Sequence, residues 1–332
     1  MKIDFLHRQS AHCESGVTSN LLSHYGINIS EATAFGIGAG LFFAYLPFIR
    51  INKLPLTTFR INVGGIFKRV TKALGIEVKW QKFKQPEKAM DSLDQKLEEG
   101  IPVGCQTGGY WLPYFPDALR FHFNAHNLVV IGKEGDNYLI SDPVFPETII
   151  CDRKNLMKAR FAKGALAPKG NMYYLNRVPD CQDLSSAVIK GIRAVCKNML
   201  KPPLPLVGVR GIRFLANRVE IWPQKLGKDT ASLYLGQIIR MQEEIGTGGA
   251  GFRFIYAAFL QEAAVILSES RINAVSEELT ETGDRWREFA ASAARNCKGR
   301  ASEEDSYPAM ANMLRDCANR EKTIYQELQG LV

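Results

Sequence analysis

Asn127-Leu-Val-Val-Ile131, Gly132-Lys-Glu-Gly-Asp136 and Tyr138-Leu-Ile140, running on into Ser141-Asp142-Pro143, form the stretch that decides the fold. An apolar β-branched run, a cluster with turn chemistry and a second short apolar run predict an antiparallel hairpin. With the turn centred near residues 134 and 135, His126 and Asn127 fall opposite Asp142 and Pro143. His126 and Asp142 then lie on adjacent strands, within reach of an imidazole–carboxylate bond that sets tautomer and ring orientation. Taken singly, His126 reads as a capping or core-edge histidine, and Asp142 as a turn residue before proline.

Cys13 changes that reading. It stands in His12-Cys13-Glu14-Ser15-Gly16, at the start of residues 13–25, which read as a helix stopped by Gly26. A thiol at a helix N-terminus feels the positive end of the macrodipole, which favours the thiolate. Cysteine, then histidine, then aspartate is the chain order of papain-like thiol chemistry. Gln9 sits shortly upstream, where its NH2 and the Cys13 backbone N–H can form an oxyanion hole. His122 and His126 are spaced i, i+4 but lack a third ligand, so no metal site is expected.

Outward from these residues, 64–74 and 86–99 read as helices, and 76–80, 101–105 and 171–175 as strands. Helices first and antiparallel strands later give an α+β domain over residues 1–180, with the nucleophile helix packed on the sheet. Residues 181–228 read as a basic linker or docking region. From 229 to 332 the pattern is mainly α-helical, with helices over 229–245, 252–268, 271–296 and 303–330. The loop Gly246-Thr-Gly-Gly-Ala-Gly251 can cradle a phosphate or simply cap a helix in a tight αα turn; capping is the simpler reading.

Several of these segments resemble a known family. His12-Cys13 through Ser30-Glu31-Ala32, Phe35-Gly-Ile-Gly-Ala-Gly-Leu41, Tyr110-Trp-Leu-Pro-Tyr114, His122-Phe-Asn-Ala-His126 and Leu139-Ile-Ser-Asp142 resemble the N-terminal domain of butirosin biosynthesis protein H. Gly246 through Ala263 resembles the helical C-terminal domain that accompanies it. The resemblance implies a papain-like cysteine acyltransferase that takes an acyl group from a carrier-protein thioester to an amine. The family's catalytic cysteine, histidine and aspartate fall on Cys13, His126 and Asp142.

Composition narrows the classes. The chain has 332 residues, suited to two domains, with 46% hydrophobic and 23% charged residues. Seven cysteines without a CxxC argue for a reducing compartment, and the charged N-terminus is no signal peptide, so a cytoplasmic location is expected. Ala32 to Ile49 is uncharged over 18 residues, but Gly36, Gly38, Gly40 and Pro47 interrupt it, so no membrane span is expected. Between Ser186 and Lys228 stand nine Lys or Arg and one acid, Glu220. Such a field attracts acidic surfaces and phosphates. No recognition helix, zinc finger or RNP pattern accompanies it, so nucleic acid is not the expected partner. An acyl carrier protein bearing phosphopantetheine is the expected one, docking at residues such as Arg210 and Arg213; a solvated linker is the plain alternative.

The expected reaction is acyl transfer through an acyl-Cys13 intermediate to an amine acceptor, without metal or dissociable cofactor. Phe43, Tyr45, Tyr110, Trp111 and Tyr114 are candidates for a substrate-binding lid that excludes water. A thiol peptidase or amidase with the same three residues, or a non-catalytic carrier-binding scaffold, are the competing readings.

Overall fold

The computed structural model describes residues 1–51, 53–117 and 120–332. The chain forms two compact units, residues 1–34 with 66–182, and residues 35–65 with 183–332. Its helices are α1 (Cys13–His24), α2 (Glu31–Ile37), α3 (Gly65–Ala73), α4 (Pro86–Glu98), α5 (Arg153–Arg160), α6 (Leu184–Leu200), α7 (Gly208–Leu226), α8 (Lys228–Ile239), α9 (Arg253–Ile266), α10 (Arg271–Cys297) and α11 (Tyr307–Leu331). Its strands are β1 (Leu41–Ile51), β2 (Leu54–Arg60), β3 (Glu77–Gln81), β4 (Val103–Thr107), β5 (His126–Glu134), β6 (Asn137–Ser141), β7 (Ile149–Asp152) and β8 (Met172–Arg177).

The first unit is α+β. Its antiparallel sheet runs β3-β8-β4-β5-β6-β7. β5 is central and buried along most of its length, as its apolar run requires. Leu128 and Val130 join Val103, Cys105 and Met172 in a core closed by Met90, Leu93 and Leu97 of α4 and Leu156 of α5. α1 packs on β5, and Phe67 of α3 lies against Tyr173 of β8. The hairpin exists, but its register differs by one from the expected one. Glu134 pairs with Asn137 around a two-residue turn, and a bulge between Val130 and Gly132 then sets Val129 opposite Ser141. An extra residue in one strand shifts every pair beyond it. The turn sits one residue later than expected, which alone would set Asp142 level with Val129; the bulge recovers one position, so Asp142, following Ser141, comes level with Leu128 and not with Asn127.

The second unit pairs a β1–β2 hairpin with helices α6 to α11. Two expected boundaries change here. Residues 35–65 belong with the helices, because Phe43 and Phe59 pack on each other and on Trp286 of α10. Residues 181–228 are no linker but mostly α6 and α7. Asp183 caps α6 by accepting from the Ser186 N–H at 2.8 Å. Val188, Ile192, Val195 and Met199 recur at helical spacing on its buried side. Under this core lies a buried Arg253–Glu321 pair: Arg253 Nε and Nη2 donate to the two carboxylate oxygens at 3.0 and 3.1 Å, and Trp286 Nε1 donates at 2.7 Å. No helix among the described residues is long and apolar enough to cross a membrane.

Candidate active site

Cys13 opens α1, whose N-cap is His12 in extended conformation, with Nδ1 accepting from the Ser15 N–H at 3.3 Å. A carboxylate holds the approach to the cysteine. Glu31 Oε2 accepts from Ala11 N–H at 2.9 Å, and Oε1 from His12 N–H at 2.6 Å and from the Ser15 hydroxyl at 3.2 Å. Burial pushes the Glu31 pKa up, and these donors hold it back. Glu14 turns the other way. Its buried Oε1 accepts from the N–H groups of Ile66 and Phe67 at 2.8 and 3.3 Å, anchoring the first turn of α3.

Gly16 is the reason α1 can come close. A Cβ there would meet Ser10 at 2.6 Å and Pro143 at 2.7 Å, so only glycine lets the helix pass beside the segment carrying Asp142. The N-terminal strap clamps that same segment. His7 Nε2 donates to Phe145 O at 2.9 Å, leaving Nδ1 to accept from the Ser141 hydroxyl at 2.8 Å. Ser10 N–H donates to Pro143 O at 2.7 Å, and Gln9 Nε2 to Val144 O at 3.2 Å. Gln9 therefore has one amide N–H engaged on this segment, a contact the sequence reading did not foresee.

At the centre, His126 Nε2 donates to Asp142 Oδ2 at 2.7 Å. The Cys13 sulfur acts on the same imidazole from close by, helping to raise its pKa. With Nε2 taken, Nδ1 is the nitrogen left for sulfur. Exposure falls along the row from 9% at Cys13 to 5% at His126 and 0% at Asp142, so the thiol is its outer end and the carboxylate its buried anchor. Asp142 is satisfied further: Tyr114 donates its hydroxyl to Oδ2 at 2.9 Å, and Val144 N–H donates to Oδ1 at 3.1 Å. Phe115 sets its ring edge-to-face on His126 at 5.1 Å.

Burial alone would lower the His126 pKa, but the Asp142 carboxylate and the Cys13 sulfur raise it to about 10. A folded-state pKa above the unfolded value favours the native state at low pH. The stabilisation is complete below about 6.5, the unfolded value, and lost as pH rises through about 10. Thermal midpoints of the wild type and His126→Gln should therefore differ most below pH about 6.5 and converge toward pH 10. A gap that widens with pH would contradict this ionisation.

Other expected site residues go elsewhere. Phe43 and Tyr45 are no part of this unit; both are buried in the second one, Phe43 on Phe59 and Trp286 and Tyr45 between Phe214 and Trp222. Their place in an apolar β1 made them read as a lid, whereas their alternation buries them. Tyr110 stacks on His122 with ring centroids 4.1 Å apart, and Lys158 lies over the Trp111 ring. Tyr114, chosen as a substrate contact, instead meets Asp142, a link between residues far apart that spacing cannot reveal.

The remaining groups have other surroundings. Burial raises the thiol pKa of Cys105, and to about 12 at both Cys151 and Cys196. The 246–251 loop is folded in on itself. Thr247 donates to Gln242 O at 2.6 Å, and Ala250 N–H goes to Glu243 at 3.1 Å, so a carboxylate already occupies that amide. Gly251 has φ +57, and a Cβ there would collide with Phe59 at 2.2 Å. Arg210 donates to Pro202 O and Arg213 to Asn319 Oδ1, and among the described residues neither pairs with a carboxylate. Among the described residues no group of three His, Cys, Asp or Glu is placed to hold a metal ion.

Residues 12–143 match the family model described as butirosin biosynthesis protein H, N-terminal, and residues 154–328 match that of a domain of unknown function, DUF4872. The first match begins one residue before Cys13 and ends one residue after Asp142. No curated protein matches the chain. Among solved structures, one titled as a C39-like peptidase from Bacillus anthracis aligns with TM-score 0.38 and 15% identity, covering 54% of this chain and 100% of that one.

Proposed function

The chain belongs to the butirosin biosynthesis protein H family, and from that premise we propose a cysteine-dependent acyltransferase that moves an acyl group from an acyl-carrier-protein thioester to an amine. The observation that supports this reading is His126 held at 2.7 Å by the buried Asp142 carboxylate, with the Cys13 sulfur acting on the same imidazole. In the first half-reaction the Cys13 thiolate attacks the thioester carbonyl, and the pantetheine sulfur leaves with the proton held by His126. The Cys13 backbone N–H, a first-turn amide without an intrahelical acceptor, faces the developing oxyanion, with the second amide N–H of Gln9 as its companion. In the second half-reaction the amine attacks acyl-Cys13, His126 takes its proton, and the amide departs from the regenerated thiol.

Asp142 keeps the proton on Nε2, so Nδ1 stays turned toward sulfur. Tyr114 is a positioning residue for that carboxylate. Burial and Asp142 raise its hydroxyl pKa well above the ordinary value, so it remains a donor. Tyr114→Phe should cost about 1–3 kcal/mol of stability by leaving a carboxylate lone pair unsatisfied. Turnover should fall about three- to tenfold with the donor KM unchanged, which steady-state kinetics on the folded variant would read.

The reading is tested by supplying an acyl-carrier thioester with and without an amine and separating amide from free acid. Amide formation that saturates with amine supports transfer; free acid formed at the same rate whatever the amine means hydrolysis instead. Carrier docking is tested alongside. Reversing the charge of Arg210 and Arg213 should raise the KM for the carrier-bound donor and flatten its salt dependence, while a small thioester mimic is used as before. Equal loss with carrier and mimic would assign these residues to the fold.

A further inference from the structure

The second unit contains a cavity of about 160 Å³ that the proposed chemistry does not use. It lies between the β1–β2 hairpin and the facing ends of α7 and α8. Three rings wall it: Trp222 stands 6.2 Å from Tyr45 and meets Tyr234 edge-to-face at 5.5 Å. Arg50, Arg218 and Lys225 complete the lining, which contains no Asp or Glu. Glu220, two residues from Arg218, is taken by Arg315. Among the described residues no carboxylate pairs with Arg50, Arg218 or Lys225. Lys225 alone could be explained as a cation at a helix C-terminus. Arg50, on a strand, has no such explanation; Arg218, two turns earlier in α7, lies over the Phe214 ring at 5.4 Å, a contact that leaves its N–H donors open to an anion.

We propose that this cavity binds a small organic anion, an aromatic ring or short chain carrying one carboxylate or phosphate. Its size sets the ligand's body, since a cavity of about 150 Å³ holds benzene. The rings supply apolar and stacking surface, and the guanidinium groups of Arg50 and Arg218 supply forked donors for an oxyanion. Tyr45 adds a hydroxyl donor. Burial and the neighbouring Tyr234 raise its pKa to about 12, against the opposing pull of Arg218 and Arg50, so its hydroxyl keeps its proton. The site stands independently of acyl transfer, because it uses none of the residues around Cys13.

Titration calorimetry on the full chain tests this with benzoate and phenyl phosphate, which separate carboxylate from phosphate recognition. Benzyl alcohol controls for the apolar wall alone and inorganic phosphate for the charge alone. One of the aromatic anions should bind at least about tenfold more tightly than both controls, a difference of about 1.4 kcal/mol. Arg218→Gln should weaken it by a similar factor, and Arg210→Gln should leave it unchanged. If Arg218→Gln does not fold by circular dichroism, the exposed Lys225→Gln serves in its place with the same expected loss. Equal binding of either control, no binding of either aromatic anion at millimolar concentration, or wild-type affinity in the folded Arg218 or Lys225 variant would overturn the proposal.

Discussion

Cys13→Ala is expected to abolish acyl transfer, and intact-mass measurement should find an acyl adduct on the wild type but not on the variant. The effect should be the largest of any single substitution, since without sulfur there is no covalent intermediate. Competing thiols are poor candidates on physical grounds. Cys105, Cys151, Cys196 and Cys317 are buried, and burial raises the pKa of each. Cys181 is exposed and is the informative control. Cys181→Ala should retain both adduct and turnover. An adduct mapped to Cys181, or full activity in Cys13→Ala, would end the assignment, while the protein's melting temperature would show that the loss is not unfolding.

The second large effect is expected at the imidazole and its anchor. His126→Ala should lose about 10²–10⁴-fold in turnover, the range a general base supplies. Asp142→Asn keeps shape but changes what the ring sees. An amide can donate to Nε2, which would move the proton to Nδ1 and turn it against the sulfur, as in the tautomer reversal known for serine triads. A loss of about 10²–10⁴-fold is therefore expected there as well, with the fold retained. The pH profile separates tautomer loss from mere loosening. Without the carboxylate, the raised His126 pKa must fall, moving the alkaline limb of Cys13 alkylation toward neutrality. His122→Ala is the control, because His122 is exposed and stacks on Tyr110, whereas it is His126 that bonds Asp142. A dead His122 variant beside an active His126 variant would reverse the choice between them.

Much of the first unit was legible because its signals are local. The β-branched run before Gly132 and the turn cluster at 132–136 gave the hairpin. The turn falls one residue later than the centre expected from that cluster, and the bulge that takes back half of the resulting shift was not legible; beside it Lys2 bridges Gly132 and Lys133 N–H donates to Met1 O from the far end of the chain. Pro86 at the first turn and Gly100 past the end bounded α4 closely. The α6–α7 region misled for a definite reason. Lys201-Pro-Pro-Leu-Pro205 looks like a linker, and the density of cations hid the buried stripe of Val188, Ile192, Val195 and Met199.

The sequence by itself determined the order of cysteine, histidine and aspartate, the helix that begins at the cysteine and the hairpin that carries the other two. Helix caps, turn residues and alternation act within a few residues of chain, so their physics can be read in one dimension. Only tertiary structure decided that Glu31 holds the backbone before Cys13, that Glu14 anchors α3, and that Tyr114 shares the oxygen of Asp142 with His126. It also decided that residues 35–65 belong with helices that start at residue 184. Those contacts join residues far apart in sequence, and packing selects among many partners of equal local merit. No spacing rule encodes that selection, because a buried carboxylate is satisfied by whichever donors the assembled core brings within hydrogen-bond distance.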